Sequence, residues 1–149
     1  SRKQIRRDIM NIYLNYKDSS LLIPYDIFDK IGCPAYIQLL WNKSERRILI
    51  TAATKDSEES IDIPKQIFEN SLLMIPAYTG DQNLIVAMGL DNIPYCVEAR
   101  LVKDRTGSSL ILIDLNTAKK ADIKEICGVL MVPNCFRDPD GEDEEKYHY

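Results

Sequence analysis

Chemistry needs particular residue types at particular spacings, and the first to weigh are the thiols, the imidazole and the carboxylates. The cysteines are Cys33, Cys96, Cys127 and Cys135. None is spaced as a CxxC pair and no histidine lies near them, so the pattern does not write a zinc site. The one histidine, His148, sits behind an acidic run, which leaves a His-dependent triad or a His-ligated metal a single residue to draw on. Asp138, Asp140 and Glu142 alternate like calcium ligands, yet Gly141 falls at the fourth loop position instead of the sixth and no Glu stands at the twelfth. Glu58 and Glu59 sit in a polar stretch and read as linker charge. No GxxxxGK[ST] or GxGxxG run is present to cradle a phosphate. With one His and six Gly in 149 residues, the expectation is a binder and not an enzyme, with no metal and no cofactor.

The cations give a more positive signal. Residues 1–50 carry nine Lys/Arg against five Asp/Glu. Residues 51–136 carry eight against twelve, and residues 137–149 two against six. The net charge of −4 therefore conceals a basic first third and an acidic tail. That asymmetry suits one polyanion-facing surface and a solvated or self-masking tail. Chance clustering of surface charge is the plain alternative. The cations to place are Lys43, Arg46 and Arg47, with Arg2, Lys3, Arg6 and Arg7 ahead of them.

The elements that must position them follow from periodicity. Ile5, Ile9, Ile12, Tyr13 and Tyr16 recur at helical spacing and predict an N-terminal helix within residues 1–19. Two blocks then repeat at a period of 40: Ile23-Pro24-Tyr25-Asp26-Ile27-Phe28 and Ile63-Pro64-Lys65-Gln66-Ile67-Phe68. Each reads as a strand followed by a Pro-started short helix, since proline's missing N–H is harmless in a first helical turn. Gly32 and Pro34 end the first helix. Ala35–Trp41 and Arg46–Ala52 then alternate as two strands around Asn42-Lys43-Ser44-Glu45. In the second unit, Leu72–Tyr78 reads as a strand that Pro76 confines to a sheet edge, with Leu84–Met88 as its partner. A third hairpin joins Tyr95–Val102 to Ser109–Ile113 across Asp104–Gly107. Asp114 or Asn116 caps a C-terminal helix reaching Ile126, and Val129–Val132 forms a last strand.

The predicted class is α+β and strand-rich. A tandem strand–short helix–hairpin repeat (20–54 and 60–90) packs as a small barrel or sandwich, with an added hairpin and helix over 94–132. Together, 20–136 make one domain, and 137–149 an acidic mobile tail. The longest apolar runs fall far short of the ~20 residues a membrane helix needs. Nothing in Ser1–Arg7 resembles a secretory leader. The reading is a cytoplasmic protein with free, mostly buried thiols; a Cys127–Cys135 disulfide is the rival.

The first unit resembles the swapped-hairpin modules of the AbrB and MraZ families of bacterial DNA-binding regulators. The residues that carry this are Leu22-Ile23-Pro24, Ile27 and Phe28, Ile31-Gly32, and Tyr36-Ile37-Gln38-Leu39 leading to Arg46–Ile50. Cys33-Pro34-Ala35 replaces the usual Gly-Asp, and the Asp-x-x-x-Arg run of MraZ is absent after both blocks. The resemblance implies double-stranded DNA bound by a basic strand surface of a homodimer. Arg46, Arg47 and Lys43 would be the contacts, with Arg2, Lys3, Arg6 and Arg7 on phosphates. Adjacent residues on a strand point to opposite faces, so Arg46 and Arg47 are expected to diverge. The Pro34–Leu40 run is also similar to small proteins of bacterial mobile elements. The alternative function is a protein-interaction or structural module that uses strand edges and binds no nucleic acid.

Overall fold

The computed structural model describes residues 9–14, 19–63, 71–122 and 130–133. In chain order the elements are β1 (Ile9–Leu14), β2 (Ser20–Pro24), α1 (Tyr25–Asp29), β3 (Tyr36–Asn42), β4 (Arg47–Ala53) and β5 (Ile61–Asp62). They continue as β6 (Ser71–Pro76), β7 (Tyr78–Thr79), β8 (Gln82–Asn83), α2 (Leu84–Ala87), β9 (Tyr95–Lys103), β10 (Ser109–Lys120) and β11 (Leu130–Pro133). Eight strands form a curled antiparallel half-barrel in the order β6-β2-β1-β9-β10-β4-β3-β5, and β11 joins it parallel to β6. β7 and β8 make a separate ribbon.

Alternation builds the core. Ile37 and Leu39 of β3, Ile48 and Ile50 of β4, Val97 and Ala99 of β9, and Ile111 and Ile113 of β10 are buried on the concave face. Burying one such aliphatic side chain is worth about 1.5–3 kcal/mol. Pro24 ends β2 at φ −58° and stands at the cap of α1, where it has no ladder hydrogen bond to donate. Ile27 and Phe28 of α1 and Leu84 and Ile85 of α2 are buried in the same core. Gly32, at φ +91°, turns the chain out of α1, and its N–H donates to the Asp29 carbonyl at 3.0 Å.

The first unit thus forms the strand, short helix and hairpin that its sequence predicts, with Asn42 opposite Arg47 at the β3–β4 turn. The third hairpin, β9–β10, forms as well. Four readings need correction. The described part of the predicted N-terminal helix is β1. Met10, Ile12 and Leu14 pack inward at a period of two, and β2 and β9 pair with both edges of the strand. Leu84–Ala87 is helix α2, not a strand, because the Asn83 carboxamide caps it: Oδ1 accepts from the N–H groups of Ile85 (3.0 Å) and Val86 (3.3 Å). The second unit therefore has no hairpin like the first. β6 is interior, flanked by β2 and β11; Pro76 is tolerated because β11 pairs only as far as Met74. Finally, Asp114 and Asn116 start no helix. The Asp114 side chain accepts from the Asn116 N–H at 3.0 Å inside β10, where the register against β9 shifts, and the strand runs on to Lys120.

Residues 64–70, with the second Pro-started helix, lie outside the described residues, as do 123–126 of the C-terminal helix and the tail 137–149.

Candidate nucleic-acid interface at the β3–β4 tip

Among the described residues, the predicted DNA-contacting cations gather at one place, the turn between β3 and β4. Lys43 lies exposed within it. Arg46 closes the turn in a left-handed conformation, φ +56°, and Arg47 opens β4. Because Arg46 belongs to the turn, strand alternation does not govern its direction, and the expected divergence from Arg47 has no basis. Arg2, Lys3, Arg6 and Arg7 lie outside the described residues.

The turn is held from within and from β10. The Asn42 side chain accepts from the Glu45 N–H at 3.0 Å and from the Ser44 hydroxyl at 2.9 Å. The Arg46 N–H donates to the Lys43 carbonyl at 3.3 Å. From β10, the Leu115 N–H donates to the Arg46 carbonyl and the Asn116 carboxamide to the Glu45 carbonyl, each at 2.9 Å. The irregular Asp114–Thr117 segment of β10 is what brings these two donors to the tip. Sequence reasoning missed Asn116 in this role, since an Asx residue followed by a short polar stretch reads equally as a helix cap.

The charges at the tip are mixed. Arg47 makes a 3.8 Å ion pair with Glu45, with 41% and 58% of the two side chains exposed. An exposed pair at that length contributes little and exchanges readily. Across the sheet, Arg47 stands opposite Asp114. Nε of Arg46 and Nε of Arg47 are shielded from solvent without a hydrogen-bond acceptor among the described residues. A shielded donor without an acceptor is unfavourable. The tip thus carries three cations on a turn whose backbone is held from within and from β10.

The thiols offer less. Cys33 is exposed, against the expectation of mostly buried thiols, and Cys96 is half-buried. The Cys33 thiol lies 3.4 Å from both the Tyr25 hydroxyl and an Asp29 carboxylate oxygen. Local burial pushes its pKa up, Tyr25 lowers it, and hydrogen bonding and charge from Asp29 raise it again. A thiol held protonated in this way is a poor nucleophile. Among the described residues no group of three or more His, Cys, Asp or Glu is placed to hold a metal ion, and no helix is long and apolar enough to cross a membrane. No family model, curated protein or solved structure matches the chain.

Proposed function

We propose that this chain is a non-catalytic DNA-binding module, a bacterial transcription regulator that contacts duplex DNA through the β3–β4 tip. The observation that carries the reading is the convergence of Lys43, Arg46 and Arg47 on one turn, pinned at the Glu45 and Arg46 carbonyls. A fixed backbone under the cations lowers the ordering cost of binding. The resemblance of the first unit to swapped-hairpin regulators adds a homodimer to the proposal.

Fluorescence anisotropy with a labelled mixed-sequence duplex tests it. Three phosphate contacts predict that affinity falls about 40-fold between 50 and 200 mM salt. Replacing Lys43, Arg46 and Arg47 together by Ala removes binding. Absence of binding at low salt, or equal binding by the triple variant, contradicts the proposal.

A second reading is favoured by one feature, the groove beside β5, the last strand of the sheet among the described residues. The groove has a volume of about 580 Å³ and is lined by Tyr36, Tyr78 and Pro76 among others. An extended partner peptide seated in it would make the chain a protein-interaction module.

A further inference from the structure

We infer that the junction of the residue before β2, the β7–β8 ribbon and α2 is a binding site for a small uncharged carbonyl compound. A cleft of about 380 Å³ opens there, within the range of small-ligand pockets. Its polar lining is Ser19, Tyr78, Asn83 and Asn92; its apolar lining is Ile85, Val86 and Leu90. Among the described residues no acidic or basic side chain lines it, and that lining suits a neutral ligand.

The hydrogen bonding fixes which polar group the ligand must bring. The Asn83 carboxamide is fully used. Its Oδ1 caps α2, and its Nδ2 donates to the Ser19 hydroxyl at 2.8 Å and the Tyr78 hydroxyl at 3.3 Å. Both hydroxyls are thereby acceptors from Asn83, and each keeps its own hydrogen to give. Neither hydrogen has an acceptor among the described residues. Ser19 is 8% exposed and held at φ +60°, with its carbonyl accepting from the Ala77 N–H at 2.8 Å. A buried hydroxyl that has given up a lone pair and still carries a free hydrogen calls for an oxygen acceptor. Beside the two donors, Val86 stands 67% exposed, and Leu90 offers further apolar surface for the body of the ligand. The complement is a carbonyl oxygen on a compact apolar frame, such as a lactam.

The test titrates 2-pyrrolidone into the isotope-labelled full chain and follows the amide resonances of Ile85, Val86, Leu90 and Asn92. Saturating shifts with a millimolar dissociation constant are expected. Tyr78→Phe, on a part-exposed ring whose packing it preserves, weakens binding about fivefold, and Ser19→Ala does so to a similar degree. Pyrrolidinium chloride, a charged ring without the carbonyl, produces no saturating shift. The inference is overturned if 2-pyrrolidone gives no saturating shift, if both variants bind it as the native chain does, or if pyrrolidinium binds as tightly.

Discussion

Cys33 shows how far a residue's neighbours set its chemistry. Its thiol is raised first by local burial and then by Asp29, against the lowering effect of Tyr25. Alkylation at neutral pH is therefore expected to be slow for so exposed a cysteine, and Asp29→Asn is expected to speed it several-fold by removing the negative charge that opposes the thiolate. Rates of iodoacetamide labelling, resolved by peptide mass spectrometry, check this; an unchanged rate in Asp29→Asn would mean that Asp29 does not govern the thiol. Asp104 is shifted the other way. The Thr106 hydroxyl, at 2.6 Å, is the largest cause of its lowered pKa, and the N–H groups of Thr106 and Ser108 add to it. A lowered folded pKa means that the carboxylate's support of the β9–β10 turn is complete above the unfolded value of about 3.9. That support is lost as pH falls through the lower folded value. Denaturation curves of the native chain and Asp104→Ala are thus expected to differ at neutral pH and to converge in strong acid. A gap that stays constant across that range would contradict the assignment.

Among the elements, α2 depends on a single side chain. It has only four residues, and Asn83 supplies its cap while also tying Ser19 and Tyr78. Asn83→Ala is expected to cost about 1 kcal/mol or somewhat more, measured by urea denaturation, because a cap and two cross-links go together. Loss of no more than a few tenths would show that packing of Leu84 and Ile85 alone holds the helix. Gly80 sits beside this unit at φ +61° in the β7–β8 turn, where an added Cβ would collide with the Glu59 carboxylate. The elements differ in how openly the sequence declares them. In β3, β4 and β9 buried positions alternate with more open ones over their first residues, so periodicity finds them, while β10 declares itself as a short apolar run bounded by turn residues. The run Leu84–Met88 is apolar throughout and carries no period; only the hydrogen bonds of Asn83 decide for helix. In β1 the residues at positions 9, 12 and 13 satisfy a helical period while 10, 12 and 14 satisfy a strand period. The open flanks of β2 and β9 settle that competition, and no local sequence encodes them.

For the whole molecule, the hydrophobic pattern made the strand-rich class legible, whereas the strand order did not follow from it. β6 pairs with β2 and β11 across long sequence separations, and the predicted second hairpin gives way to that arrangement. The candidate interface was legible as residue types, since Lys43, Arg46 and Arg47 stand out in a basic first third. Its anchoring was not, because Leu115 and Asn116 reach the tip from a strand some seventy positions away. Three cations on a fixed turn, next to Glu45 and Asp114, amount to a modest electrostatic footprint, so DNA affinity is expected to be salt-sensitive. On the proposed function, DNA engages this turn and not the β5 groove or the α2 cleft. The most direct measurement is an amide chemical-shift map of the full chain with a short duplex at low salt. The largest shifts are expected at Lys43–Arg47 and Leu115–Asn116, reversed by added salt. Shifts confined to Ser60–Asp62 or Ile85–Asn92, or no shifts at all, would contradict it.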